Sequence, residues 1–296
     1  MDASSLVINH QGTYYVKSKY SEIHDLVLVI GCGGGNGLPD IRKVYLVKND
    51  GELNRDLSCD RIILEHCTDL IGPQIMRSVE NGDGSHPDKQ FFTGGNHQDN
   101  NKGMDGNATA RCSNFTCSCN GSVVEDRSCG DDVVFLWTNY LQGYNTTLTS
   151  GIGREIMRED VQMVISGGKA EVKICHTALE DVVRQTYYGL QMVTTCSSRV
   201  IYPGEKCTAY HGVREYSYYS DSSCRDIWID NDYSDRIALH MNPDGLGDFA
   251  NNLTDHNVFT RHYGKSYFNL IQDTEYLQKA GESTCFSGYF HFYSVI

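Results

Sequence analysis

The segment DVQMVISGGKAEVKI, residues Asp160–Ile174, decides the fold class. Apolar side chains occupy every second position on both sides of a Gly-Gly pair, at Val161, Met163, Ile165, Ala170, Val172 and Ile174. Successive side chains of a β-strand point to opposite faces, so this alternation predicts two strands that each bury one face. Two such runs joined by two glycines are typical of a β-hairpin, because glycine readily adopts the positive φ of a tight turn.

Similar runs recur along the rest of the chain and extend the prediction to the whole protein. The further predicted strands are Val133–Tyr140 (VVFLWTNY), Val182–Val193, Ile237–Met241, Tyr263–Ile271 and Cys285–Val295. No segment shows a sustained apolar stripe with the 3.6-residue period of a helix. We therefore predict an all-β protein, a single β-sandwich or jelly-roll domain over residues 1–296 with long loops, in which residues 1–80 can form an N-terminal β subregion.

The charge balance excludes some classes of partner. With 25 Lys and Arg against 38 Asp and Glu, the formal net charge is −13. A general nucleic-acid binder needs a basic surface, and so does a protein attracted to anionic membranes, so we expect neither partner. The longest purely apolar run, Leu26–Ile30, is far shorter than the roughly 20 residues of a spanning helix. The N-terminus MDASSLVINH lacks the basic and apolar regions of a signal peptide, and we expect none in this chain.

The segment VLVIGCGGGNG, Val27–Gly37, resembles a strand that runs into a phosphate-binding glycine loop. That motif requires a helix directly after the glycines. Pro39 and the strand-like run Val44–Val47 leave no room for one. The glycines are therefore expected in a loop between two strands.

Cysteine usage leaves the redox state open. None of the 12 cysteines has CxxC spacing, and the cluster Cys112, Cys117 and Cys119 has no matching second pair for structural zinc. Five Asn-x-Ser/Thr sequons make some disulfides plausible, although a chain rich in Asn, Ser and Thr produces sequons by chance. We expect no cofactor, with a structural calcium ion at the NGDG segment, Asn81–Gly84, as an alternative.

The polar faces of the predicted strands suit sugar recognition. One face of Tyr263–Leu270 combines Tyr263, Lys265 and Tyr267, and one face of the last strand combines Tyr289, His291 and Tyr293. Aromatic rings can stack on pyranoses, while amide and guanidinium groups hydrogen-bond hydroxyls and carboxylates. The long irregular stretch Asn81–Asn107 adds His97 in a Gly-rich loop, where functional side chains are common.

Short motifs in these segments resemble those of β-jelly-roll polysaccharide lyases. They are YGKSYF at Tyr263–Phe268, TAR at Thr109–Arg111 and YGLQ at Tyr188–Gln191. This resemblance implies β-elimination at a uronic acid, which needs a neutraliser for the C6 carboxylate, a base for the C5 proton and an acid for the departing O4. It implies Gln191 and Arg111 as neutralisers, His97 as the base and Tyr187 or Tyr267 as the acid. The implied substrate-binding residues are Lys265, Tyr263, Tyr188, Asn96, His291 and Tyr289.

A second set of motifs is similar to tail-associated proteins of phages that infect Gram-positive bacteria. The set comprises FTGGNH (92–97), TAR (109–111), TNYLQGYNT (138–146), GREI (153–156) and YYGLQ (187–191). This resemblance implies a location, extracellular or virion-associated, more than a chemistry. The expected partner of the chain is a polysaccharide, and a homo-oligomer is a further possibility. The resemblance would explain work outside the cell without a signal peptide, because virions leave by lysis.

Two other functions stay open. A non-catalytic carbohydrate-binding or receptor-binding module would need the aromatic face but no positioned base and acid. A glycoside hydrolase would use paired carboxylates, for which Glu155, Glu159 and Asp160 are the candidates. Because Arg154 and Arg158 adjoin them, a solvated charge cluster is the favoured interpretation of that segment.

Overall fold

The computed structural model describes residues 5–49, 51, 53–65, 69–99, 106–193, 196–204, 208–219, 224–242, 258–272 and 275–295. The strands are β1 (Ser5–His10), β2 (Thr13–Lys19), β3 (His24–Gly33), β4 (Leu38–Lys48), β5 (Arg61–Leu64), β6 (Gln74–Ser78), β7 (Ala110–Cys119), β8 (Ser122–Val123), β9 (Arg127–Gly130), β10 (Val133–Gln142), β11 (Glu155–Ser166), β12 (Lys169–Ala178), β13 (Val182–Tyr187), β14 (Gln191–Val193), β15 (Arg199–Pro203), β16 (Thr208–Gly212), β17 (Ser217–Tyr219), β18 (Asp226–Asp230), β19 (Asp235–Asn242), β20 (Val258–Arg261), β21 (Lys265–Phe268), β22 (Tyr276–Gln278) and β23 (Ser283–Ser294).

The hairpin predicted from the quoted segment is formed by β11 and β12. Their pairing ends at Ser166 opposite Lys169, with Gly167 and Gly168 as the two-residue turn. Gly167 has a φ of +56°, the left-handed conformation that explains a glycine at this position. The alternating apolar side chains of both strands are buried, so this prediction is confirmed.

All the strand pairs are antiparallel and form two large and two small sheets. The ten-stranded sheet has the order β16-β15-β18-β19-β23-β12-β11-β10-β7-β8, and the six-stranded sheet has the order β5-β4-β3-β2-β1-β9. The two small sheets are β22-β13-β6 and β14-β21-β20-β17. The predicted all-β sandwich class is confirmed. The six-stranded sheet takes five strands from Ser5–Leu64, the region where the sequence predicts an N-terminal subregion.

One apolar cluster joins the four sheets. Leu28 of the six-stranded sheet and Phe135 and Phe290 of the ten-stranded sheet are all fully buried in it. Met192 and Tyr187 of the two small sheets belong to the same cluster. Burying side chains of this size stabilises the fold by roughly 1.5–3 kcal/mol each relative to leaving them exposed.

The chain also contains one disulfide in the described part, between Cys175 and Cys285. These residues lie directly opposite each other on the neighbouring strands β12 and β23. The sequence left the existence of disulfides open, since the two cysteines are 110 residues apart and no local pattern relates them.

The predicted continuous strand Val182–Val193 is wrong. Strand β13 ends at Tyr187 and β14 begins at Gln191, and the two belong to different sheets. Gly189 lies between them with a φ of +65°. A β-bulge between Arg184 and Thr186 also shifts the register, so Arg184 and Tyr187 are both buried instead of pointing to opposite faces.

Gly34, Gly35 and Gly37 form the turn between β3 and β4, as the sequence predicts, whereas Gly31 and Gly33 belong to β3. Gly34 and Gly37 have positive φ values, and the Gly37 N–H donates to the Gly34 carbonyl. Among the described residues no helix is long and apolar enough to cross a membrane.

Candidate functional site

The loop that contains His97 is anchored by two buried side chains. Asn36, in the glycine turn between β3 and β4, places its Nδ2 2.9 Å from the carbonyl oxygens of both Gly95 and His97. The Thr109 N–H donates to Asn36 Oδ1 over 2.9 Å, and the Thr109 hydroxyl donates to the His97 carbonyl. Because these buried groups satisfy one another, the loop backbone is fixed to the sandwich. The His97 side chain remains 28% exposed.

Asp69 lies at the centre of the site, with its side chain only 1% exposed. One of its oxygens, Oδ2, lies 2.5 Å from Lys265 Nζ and 3.8 Å from His97 Nε2. The other oxygen, Oδ1, accepts the backbone N–H of Asn96. Asp69 has a φ of +149°, which residues other than glycine rarely adopt, so the surrounding contacts must hold it there. A buried carboxylate thereby positions a cation and an imidazole.

Aromatic rings connect this carboxylate to the small sheet β14-β21-β20-β17. The register places Tyr267 directly opposite Phe259, and their rings stack with centroids 4.8 Å apart. The Tyr188 ring meets Tyr267 edge-on at 5.0 Å. Phe92 lies between the loop and the sheet, 5.4 Å from the His97 ring and 5.9 Å from the Tyr188 ring.

Two tyrosine hydroxyls complete the arrangement. Tyr263 Oη and Tyr267 Oη lie 2.9 Å apart. Burial, followed by the hydrogen bond to Tyr263 and the negative charges nearby, raises the pKa of Tyr267 far above its ordinary value. Tyr267 therefore keeps its proton near neutral pH, while the ring of Tyr263 is 55% exposed. We call Asp69, Phe92, His97, Tyr188, Tyr263, Lys265 and Tyr267 the Asp69 cluster.

Five of the residues selected from the sequence thus meet in the Asp69 cluster, namely His97, Tyr188, Tyr263, Lys265 and Tyr267. Gln191 lies beside it, directly opposite Tyr267 in the β14–β21 pair. Gln191 is fully buried, and neither atom of its amide has a hydrogen-bond partner among the described residues. Asn96 contributes its backbone N–H to Asp69, but its side chain is packed where a Cβ on Gly34 would lie.

Arg111 and Tyr187, two further residues selected from the sequence, are not members of the Asp69 cluster. Arg111, on β7 of the ten-stranded sheet, forms a forked pair with Glu155 over 2.6 and 3.0 Å. Tyr187 is 1% exposed and packs against His176, with ring centroids 5.2 Å apart. Burial raises the pKa of Tyr187 well above its ordinary value.

Tyr289 and His291 lie on the outer face of the ten-stranded sheet. The Tyr289 ring stacks on His240 with centroids 4.8 Å apart, and His291 neighbours Tyr293 at 4.5 Å. A shallow cavity of about 340 Å³ lies beside Tyr289 and His240, and another of about 310 Å³ adjoins it. The two cavities share Gln162 and Lys173, so they form a groove across this face.

The carboxylates considered for glycoside hydrolysis are separated by the fold. Glu159 is 3% exposed and accepts hydrogen bonds from Asn139 and from His176 at 2.8 Å each, so its assignment to a solvated cluster is wrong. Glu155 pairs with Arg111, and Asp160 pairs with Arg158 on the outer face. Strand alternation directs Glu159 inward and Asp160 outward.

The described residues show no cluster of acidic, His or Cys ligands for the calcium ion considered at the NGDG segment. In the NGDG segment Asp83 accepts the N–H of Thr149 over 2.7 Å, and Asn81 accepts the amide of Asn145 over 2.7 Å. Within the part of the chain that the structure describes, no three His, Cys, Asp or Glu side chains are grouped to hold a metal ion.

Sequence reasoning missed Asp69 and Asn36. Asp69 stands in the segment TDLIGPQ with no motif around it, and its partner Lys265 is 196 residues away. The position of Asn36 between two glycines was a usable signal, because a polar side chain in a glycine turn can reach a neighbouring loop. The sequence also gave no sign of the buried group of Glu159, His176 and Arg184.

Comparison with known proteins gives only distant structural matches. No protein-family model and no curated protein matches the sequence. The chain is similar to the alpha-galactosidase from Lactobacillus brevis, with 8% identity over 99% of this chain and 40% of that one, and a TM-score of 0.42. It is similar to the GH36 alpha-galactosidase AgaA from Geobacillus stearothermophilus, with 9% identity over 97% and 40%, and a TM-score of 0.42. It is similar to the heparan sulfate lyase HepC from Pedobacter heparinus, with 7% identity over 96% and 35%, and a TM-score of 0.37.

The chain spans about 40% of the length of the galactosidases that it matches and about 35% of the lyase. All three TM-scores are below 0.5, so these similarities assign neither a family nor an activity to this chain.

Proposed function

We propose that this protein is carbohydrate-active and cleaves a uronate-containing polysaccharide by β-elimination at the Asp69 cluster. The observation that supports this best is the convergence of His97, Lys265, Tyr263 and Tyr267 around the buried Asp69. A base, a cation and a hydroxyl donor are the three kinds of group that the reaction needs. They come from the loop that Asn36 and Thr109 anchor and from the β20–β21 hairpin, which favours a fixed geometry.

His97 acts as the base in this proposal. Its imidazole takes the C5 proton, the electron pair of the C5–H bond forms the C4=C5 double bond, and the C4–O4 bond breaks. Asp69, 3.8 Å from Nε2, orients the ring and stabilises the imidazolium that forms. The proton then leaves His97 for solvent.

The tyrosine pair acts as the acid. The Tyr267 hydroxyl is protonated at neutral pH, as in any tyrosine, and its raised pKa excludes it as a resting base. Tyr263 is the more exposed of the two and is hydrogen-bonded to Tyr267, so the proton can pass through Tyr263 to the departing O4. Solvent then restores the proton of the pair.

Lys265 stabilises the charge that develops on the C6 carboxylate. Its ammonium group is 13% exposed and is held beside Asp69. Lys265 takes the role that the resemblance to lyases implies for Arg111, which is bound to Glu155 on another sheet. The amide of Gln191, without a partner among the described residues, stays the second candidate for this role.

The test is the rise in absorbance near 235 nm during incubation with alginate, polygalacturonate, hyaluronan and chondroitin sulfate, since the unsaturated product absorbs there. We expect a rise with at least one polymer, and a loss of kcat of at least 100-fold in His97→Ala and Tyr267→Phe. His86→Ala and Tyr210→Phe, at exposed positions outside the cluster, are the matched controls and should keep full activity. Full activity in both cluster variants would refute the proposal.

A non-catalytic binding module is the second candidate. The observation that favours it is the 5% exposure of Tyr267, which limits direct contact between that hydroxyl and a polymer. Measurable glycan binding with no absorbance rise for any of the four polymers would establish this alternative. A polysaccharide partner agrees with the proposed extracellular or virion-associated location in either case. The proposed homo-oligomer would be tested by analytical ultracentrifugation.

A further inference from the structure

The tip of the β20–β21 hairpin concentrates positive charge in an acidic protein. Its sequence is RHYGK, Arg261–Lys265, in a chain whose formal net charge is −13. Arg261 and Lys265 lie directly opposite each other across the two strands. Residues directly opposite in an antiparallel pair point to the same face, and like charges placed there destabilise the pair.

Arg261 and Lys265 differ in the groups that lie next to their positive charges. Lys265 forms an ion pair with Asp69 at 2.5 Å. Arg261 forms no ion pair and no hydrogen bond to a carboxylate among the described residues. Its guanidinium carbon instead lies over two aromatic rings, 5.2 Å from the centroid of Tyr216 and 5.1 Å from that of Phe259.

Contacts with ring faces leave the N–H edge of a guanidinium group available for hydrogen bonds. Rings contact the flat faces of a guanidinium group, while its N–H groups point outward in the plane. A planar edge of N–H donors matches the two oxygens of a carboxylate in a forked pair. The aromatic contacts therefore orient Arg261 for an anionic group that comes from outside the protein.

We propose that Arg261 is a specificity-determining residue that binds the carboxylate of an acidic sugar, in a subsite next to the Asp69 cluster. This inference rests on the proposed carbohydrate-binding function and extends it from one sugar residue to its neighbour in the polymer. Tyr216 and Tyr218, 52% and 48% exposed, border the subsite and offer ring faces to the apolar side of a pyranose. A protein with a net charge of −13 as a whole repels polyanions, and the subsite supplies a local positive field that offsets this repulsion.

The experiment compares affinities for each of the four polymers and for its carboxyl-reduced form, in which the acid becomes a neutral alcohol. Isothermal titration of Arg261→Met should show at least a tenfold loss of affinity for the acidic polymer. Its affinity for the reduced polymer should equal that of the wild type. Arg261→Lys keeps the charge but loses the fork and the stacking, so it should lose an intermediate amount.

Arg158→Met is the matched control, since Arg158 lies on the outer face of the ten-stranded sheet, where it pairs with Asp160. It should bind the acidic polymer like the wild type. Equal affinity of the wild type and Arg261→Met for every acidic polymer, or no binding of any of them, would overturn the inference. A loss for acidic and reduced polymers alike would also overturn it, because it would indicate lost folding or packing.

This result is separable from the test of β-elimination. An absorbance rise together with unchanged affinity in Arg261→Met leaves the proposed activity standing and refutes the subsite. Carboxylate-dependent binding through Arg261 without any absorbance rise supports the subsite on a non-catalytic module.

Discussion

Replacing Asp69 by Asn should destabilise the protein far more than the same replacement at Asp160. Asn retains the size of the side chain and an oxygen that can accept the N–H of Asn96, but it removes the negative charge. The Asp69 side chain is 1% exposed and its partner Lys265 is 13% exposed. Removing one partner of a buried ion pair costs about 3–5 kcal/mol, and the partial exposure of Lys265 favours a value of about 3 kcal/mol.

Asp160 provides the matched control because it also pairs with a cation and accepts a side-chain hydrogen bond. Its partner Arg158 is 44% exposed and Asp160 itself is 38% exposed, so solvent screens the pair. Breaking such a surface pair costs about 0–1 kcal/mol. The two variants should therefore differ by at least about 2 kcal/mol in the free energy of unfolding.

Urea unfolding followed by tryptophan fluorescence measures the difference, and a double-mutant cycle with Lys265→Met isolates the Asp69–Lys265 coupling. We expect a coupling of at least about 1.5 kcal/mol for a pair this buried. A loss of stability below about 1 kcal/mol in Asp69→Asn, or one equal to that of Asp160→Asn, would show that the buried pair does not organise the site.

Two further predictions concern the support of the site and the buried histidine. Asn36→Ala should lower the free energy of unfolding by about 2–4 kcal/mol, because it removes the donor to the Gly95 carbonyl and the acceptor of the buried Thr109 N–H, while the His97 carbonyl keeps the Thr109 hydroxyl as its donor. The exposed Asn107→Ala in the same region should change the free energy of unfolding by less than about 0.5 kcal/mol, and equal unfolding midpoints of the two variants would contradict this prediction. Burial, followed by the positive charge of Arg184, lowers the pKa of His176, so the unfolded chain binds a proton that the folded protein refuses. Stability should accordingly fall below about pH 6.5, by up to about 1.4 kcal/mol per pH unit, and the melting temperatures of His176→Gln between pH 8 and pH 5 should decline less steeply than those of the wild type.

The sequence by itself determined the fold class, because strand alternation is a local pattern with a period of two residues. Asp160–Ile174 shows this best, since its apolar positions and its Gly-Gly turn are the buried face and the turn of β11 and β12. The glycines at the end of Val27–Gly37 were likewise read correctly as a turn, because the residues after them exclude a helix. The alternation of apolar and polar side chains does not reveal where a strand is interrupted. The bulge after Arg184 and the break at Gly189 were therefore not predicted.

Only the tertiary structure decided which of the candidate residues meet. His97, Tyr188 and Lys265 lie far apart along the chain and are brought together by a loop and a small sheet. Asp69, which joins them, has no local signal, because the reason for a buried carboxylate is a cation 196 residues away. The face assignment of the last strand placed Tyr289 and His291 with the others, and the resemblance to lyases placed Arg111 with them, although all three belong to the ten-stranded sheet. Local periodicity is set by backbone geometry, whereas a site depends on contacts between distant segments that form only when the sheets pack.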